Sequence, residues 1–131
     1  METEIILLDT SILIDFYRKK DKNKSKFSRL SDQNIIFAIS VITHFEIFAG
    51  VRLSQTDYWN NLFHDFAILP LNKDISLLAT QIDVELKKKR KQIDIPDLFI
   101  AATALVNKLP LATINKKHFE RIENLKLIDI S

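Results

Sequence analysis

Ile5-Ile6-Leu7-Leu8-Asp9-Thr10-Ser11 is an apolar run that stops at an aspartate and passes into two hydroxyl residues. A continuous run of this kind reads as a strand buried on both faces, as in a parallel sheet. Ile12, Leu13, Phe16 and Tyr17 then recur at helical spacing, so Asp9 ends a strand and leads into a helix predicted from about Ser11 to Lys19. That strand end is where open α/β sheets hold their ligands.

Outward from this stretch, strands and helices alternate. The polar Lys19–Lys24 segment reads as an exposed loop, followed by a short helix from Lys26 to Ser31. Asn34-Ile35-Ile36-Phe37-Ala38-Ile39 is a second strand, and Ser40 caps a helix whose apolar positions Val41, Ile42, Phe45, Phe48, Ala49 and Leu53 stop near Ser54. Trp59, Leu62, Phe63 and Phe66 form the next stripe. Ala67-Ile68-Leu69 is a third strand, and Asn72 or Asp74 caps a helix carrying Leu77, Leu78, Ile82 and Leu86. Asp94-Ile95-Pro96 opens another helix through about Asn107, Leu109–Thr113 is strand four, a short helix covers Lys117 to Ile122, and Lys126-Leu127-Ile128 is a last strand. This order predicts an α/β fold: a parallel sheet of four to five strands with helices on both faces, in one domain over residues 1–131.

At 131 residues and 47% hydrophobic content, the chain can bury one core. With 19 basic and 17 acidic side chains, attraction to nucleic acid has to come from local clustering, not bulk charge. Cysteine is absent, which excludes disulfides and thiolate metal sites and suits a reducing cytoplasm. No apolar run approaches the roughly 20 residues of a membrane helix, and the start, with Glu2 and Glu4, lacks the basic segment of a leader.

Three carboxylates strain a purely structural account. Asp9 stands where a helix N-cap would, although Thr10 and Ser11 cap equally well. Glu46 interrupts the apolar stripe of its helix, where it needs a cation, a proton or a metal as partner. Asp97 fits the first helical turn behind an Asp94 cap, yet shares a face with Ile100, Ala101 and Ala104. If the three converge, two carboxylates about 4 Å apart already repel by roughly 4 kcal/mol at an effective dielectric near 20, so a cation or a proton is required. An oxygen-only set favours Mg²⁺ or Mn²⁺.

Leu7–Asp15, then Ser40–Gly50, then Asp97–Ala104, with Leu109–Phe119 closing the series, resemble in order and spacing the successive motifs of the PIN domain, and most closely those of VapC toxins from bacterial type II toxin–antitoxin systems. The resemblance implies a three-layer α/β/α fold and a Mg²⁺- or Mn²⁺-dependent endoribonuclease, usually a homodimer, held inactive by a small cognate antitoxin. It places Asp9, Glu46 and Asp97 as catalytic, metal-binding acids, with Thr10 or Ser11 beside the first and Thr113 and Asn115 at the polar end of strand four. The metal activates a water that attacks an RNA phosphate in line.

The match departs in two places. Asn115 and His118 stand where many relatives carry a fourth acid, and Lys91-Gln92-Ile93-Asp94 lacks a glycine common before the third. The cationic run Lys87, Lys88, Lys89, Arg90 and Lys91 reads either as a solvated helix end or as steering of the RNA backbone. His44 and His64 read as peripheral, His118 as a surface residue or a contact to RNA, Asp15 as a supporting group behind Asp9 or a solvated partner for Arg18, and Tyr58 or Trp59 as core or as an anchor for a partner. The alternative function is a PIN module that binds RNA or protein without cutting. A DNA-binding regulator lacks a recognisable helix-turn-helix.

Overall fold

In a computed structural model, which describes residues 3–30, 34–128 and 130, the opening apolar run forms β1 (Glu4–Leu8). The further strands are β2 (Ile35–Ser40), β3 (Ala67–Leu69), β4 (Leu111–Ala112) and β5 (Leu127–Ile128). The helices are α1 (Thr10–Arg18), α2 (Lys26–Leu30), α3 (Val41–Gly50), α4 (Thr56–Phe63), α5 (Lys73–Lys88), α6 (Ile95–Val106) and α7 (Lys116–Phe119). The strands make one parallel sheet in the order β3-β2-β1-β4-β5.

β1 lies at the centre of the sheet, paired on one side with β2 and on the other with β4, and its last three residues are buried. Its side chains alternate between two cores, as the pleat requires. Leu7 joins Ala38 and Leu111 under α5, α6 and α7. Ile6 and Leu8 join Ile39 and Ala112 under the helices α1 to α4, with Ile12, Leu13, Phe27, Trp59 and Phe63. Each such fully buried aliphatic side chain contributes roughly 1.5–3 kcal/mol of transfer free energy. The result is the expected three layers, helices over both faces of a parallel sheet.

The chain runs from β1 outward to β2 and β3, then returns across the sheet to β4 on the other side of β1. The strand order therefore reverses between β1 and β4. In open α/β sheets the crevice outside the C-terminal strand ends at such a reversal is where ligands bind. Leu7 N–H and Asp9 N–H bond to the carbonyls of Pro110 and Ala112 at 3.0 and 2.9 Å, so the exit from β1 is fixed against β4.

Several local expectations need correction. α3 ends at Gly50, and a separate 3₁₀ turn, Leu53–Gln55, follows it. Its inner face is Thr43 and Ile47, with Glu46 beside them, while Val41, Phe45, Ala49 and Leu53 face outward, Phe45 at 68% and Leu53 at 94% exposure. Glu46 thus lies beside the packed face, where α1 and α6 meet a mixed surface of Thr43 and Glu46 with Ile42, Ile47 and Phe48. Leu77 is exposed, and Trp59 is core. α7 ends at Phe119, three residues before Ile122. Asp15 pairs with Lys19 at 3.8 Å instead of Arg18, because i and i+4 stack on a helix. Ser31, the expected end of α2, lies outside the described residues.

Candidate active site

Asp9 occupies the N-cap position of α1, but its side chain makes no capping bond. It is buried, and its Oδ2 accepts from two hydroxyls: Ser11 at 2.7 Å and Thr113 at 2.8 Å. Among the described residues no hydrogen bond to Oδ1 is present, so one oxygen is anchored and the other is left without a protein donor. Ser11 in turn accepts the Ile114 N–H at 3.1 Å, and Thr113 accepts the Asn115 N–H at 2.9 Å. These bonds lock the β4–α7 loop to the start of α1. Asn115 is exposed and sits at the N-cap of α7, with no side-chain capping bond.

Asp97 arrives from the first turn of α6. Asp94 is the N-cap residue by backbone position, but its side chain caps nothing, and Pro96 sets the helical start. Burial, with the charge of Asp9 beside it and Asp94 adding to it, pushes the Asp97 carboxyl up to about 6, against a smaller downward pull from His118. His118 Nδ1 lies 3.5 Å from Asp97 Oδ2, an ionic contact too long for a good hydrogen bond, and that nitrogen is buried with no other partner among the described residues. Asp9 and Asp97 are therefore an electrostatically coupled pair.

Glu46 stands one hydroxyl further away. Its Oε1 lies 2.7 Å from Thr10 Oγ1, which is 3.0 Å from Thr43 Oγ1. A hydroxyl carries one proton, and the carboxylate is the stronger acceptor for it. Thr10, the residue next to Asp9, thus holds Glu46 against the start of α1. Among the described residues no three acids or histidines stand close enough to enclose one ion. Two carboxylates with waters and a substrate phosphate are a usual shell for Mg²⁺, and the Asp9–Asp97 pair fits that pattern.

The cationic run is mostly neutralised. Lys87 pairs with Asp83 at 2.8 Å, Lys88 with Glu85 at 3.5 Å and Lys89 with Glu123 at 3.9 Å. Arg90 takes φ 55° to close the end of α5. Lys91 alone of the five lines an open cavity of about 370 Å³, with Lys117, Glu120 and Arg121.

Residues 6–125 match the PIN domain family. The chain belongs to that family. Among its relatives, Ribonuclease VapC1 of Methanocaldococcus jannaschii is 37% identical over 98% of this chain and 90% of its own. Ribonuclease VapC of Rickettsia bellii is 30% identical over 95% and 96%. Of solved structures, VapBC-1 from nontypeable Haemophilus influenzae superposes at a TM-score of 0.81, with 29% identity over 96% of this chain and 98% of that one. VapBC2 from Rickettsia felis, bound to a DNA fragment from the promoter, superposes at 0.83, with 26% identity over 95% and 97%.

In this PIN domain, Asp9, Ser11 and Thr113 form one hydrogen-bonded group, Thr10 and Glu46 another, and Asp97 feels the charge of Asp9. Sequence reasoning missed Thr43, whose signal was its spacing of three from Glu46. It also set aside His118, whose approach to Asp97 is made only by tertiary structure. Lys117 and Arg121 carried no pattern at all.

Proposed function

We propose that residues 1–131 act as one PIN nuclease domain, an endoribonuclease toxin of cytoplasmic RNA that depends on Mg²⁺ or Mn²⁺ and is neutralised by a small antitoxin protein. The observation that carries this is the Asp9–Asp97 pair at the strand-order reversal, two carboxylates that a divalent cation would relieve of mutual repulsion. The names of the relatives, ribonucleases and VapBC pairs, agree with it.

Asp9 Oδ1 and the Asp97 carboxylate would hold the metal, and Glu46 would join them through water from its place on Thr10. The ion, when bound, supplies a nucleophilic water near neutral pH and neutralises charge on the phosphate. Ser11 and Thr113 hold Asp9 by one oxygen and leave the other without a protein donor. His118 stands where it can donate to a phosphate oxygen or to Asp97. On the outer face of α3, Val41, Phe45 and Ala49 repeat every four residues in solvent, with Leu53 beyond them. Such a ridge suits coverage by a partner protein, the antitoxin or a second copy in a homodimer.

The test incubates purified, antitoxin-free protein with structured RNAs in Mg²⁺, Mn²⁺ or EDTA, beside Asp9→Asn and Asp97→Asn. Metal-dependent cleavage lost in both variants is expected. Cleavage indifferent to chelation and to both substitutions would falsify the proposal. A second reading, an RNA binder that does not cut, is favoured by the exposed amide of Asn115 where many relatives have an acid. It predicts RNA binding with no cleavage in either metal.

A further inference from the structure

We propose that the cavity between α5 and α7, lined by Lys91, Lys117 and Arg121, binds a backbone phosphate of the RNA strand adjacent to the one held at Asp97. The proposal rests on the RNA-cleaving reading above for the identity of its ligand. Three cations line the cavity against one carboxylate, Glu120, and none of the three makes an ion pair among the described residues.

The cavity is built rather than incidental. Arg121 Nη1 donates to the carbonyls of Lys91 and Gln92 at 3.4 and 3.3 Å, so the loop leaving α5 is tied to the segment after α7. Phe119, fully buried, seats α7 in the core. The backbones carrying Lys91, Lys117 and Arg121 are therefore held in a fixed relation. The guanidinium keeps further N–H donors after binding the two carbonyls, in the fork that suits a phosphate.

Two residues of the cavity adjoin, along the chain, residues at the acidic pair. His118, between Lys117 and Phe119, contacts Asp97 at 3.5 Å, and the chain from Lys91 reaches Asp97 in six residues. An RNA phosphate approaching Asp9 and Asp97 meets two carboxylates and is repelled. A cationic seat one step along the strand offsets that repulsion and fixes which linkage lies over Asp97. The expected steering run does not fill this role, because Lys87, Lys88 and Lys89 each stand beside an acid.

The experiment measures binding of a fluorescein-labelled single-stranded oligoribonucleotide in EDTA by anisotropy, from roughly 50 to 200 mM salt. Lys91→Gln/Lys117→Gln is compared with a charge-matched control, Lys20→Gln/Lys24→Gln, in the loop after α1. Arg121→Lys, which retains the charge, checks that any loss is not a loosened loop. The expected result is a slope of log affinity against log salt that is shallower by about 0.7, the loss of one phosphate contact, and RNA binding at least several-fold weaker at fixed salt, with the control close to wild type. Equal shifts in cavity and control variants, or no shift in either, would overturn the proposal, as would a wild type that binds no RNA. Displacement of the RNA by low-millimolar inorganic phosphate would mark a free-anion site and overturn it as well. Because binding is read without metal, loss of cleavage in the presence of this salt signature would count against the nuclease reading alone.

Discussion

Thr113 Oγ1 donates to Asp9 Oδ2 across 2.8 Å, joining the ends of β4 and β1 over 104 positions of sequence. Ser11 bonds to the same oxygen. Thr113→Val keeps the shape and removes one of the two bonds. Partners of this kind usually matter by 10- to 100-fold in metal affinity or activity. The variant is expected to lose cleavage and Mn²⁺ affinity in that range while Thr113→Ser retains both, as measured by single-turnover cleavage and calorimetric titration.

Asp97→Asn is expected to abolish cleavage and, in EDTA, to stabilise the protein. A carboxyl moved from 3.8 to about 6 corresponds to roughly 3 kcal/mol of disfavoured charge. Asp97 is partly exposed, so solvent screening reduces the figure to about 1 kcal/mol. Denaturant unfolding at neutral pH without metal reads the gain. A variant less stable than wild type in EDTA would show that Asp97 carries structural bonds that outweigh its repulsion from Asp9.

The sheet was legible because its central strands are uninterrupted apolar runs followed by capping residues, as at Ile5–Leu8 and at Ile35–Ser40, where the Ser40 hydroxyl accepts the Ile42 N–H. The inner face of α3 was not, since Thr43 and Glu46 stand on it beside Ile47 while the apolar Val41, Phe45 and Ala49 turn outward, against the usual hydrophobic pattern. The acids could be nominated from position and motif. That Asp9 accepts a hydrogen bond from Thr113, just past β4, or that His118 meets Asp97, depends on strand order, which local periodicity does not encode. The Lys89–Glu123 ion pair was hidden for the same reason, because Glu123 comes from beyond α7, whereas Lys87–Asp83 and Lys88–Glu85 are local helix pairs.

Lys108 takes φ 56° just after α6, where Leu109 N–H bonds to the Ala104 carbonyl at 2.9 Å and Lys108 N–H to that of Leu105 at 3.2 Å. This is a left-handed helix end of the kind glycine usually supplies. The chain has a single glycine, so its helix ends lack that signal in the sequence. Lys108→Gly relieves a penalty of about 1 kcal/mol and is expected to raise the unfolding midpoint without changing cleavage. Thermal and denaturant unfolding check the first expectation and the RNA assay the second.

The raised carboxyl of Asp97 also sets a pH dependence. Between 3.8 and about 6 the folded, metal-free protein holds a proton on Asp97 that the unfolded chain has released. The folded state then binds more protons, and the contribution of this residue to stability falls as pH rises through that window and is constant above it. The difference in unfolding free energy between wild type and Asp97→Asn in EDTA is therefore expected to widen from pH 4 to 6 and then to level off. A divalent cation has to displace the same proton, so Mn²⁺ affinity is expected to drop by up to about tenfold per pH unit below 6. At pH 6, binding releases a fraction of a proton, visible as a buffer-dependent heat in calorimetric titration. Affinity independent of pH from 5 to 7, with no buffer dependence, would place the ion away from Asp97.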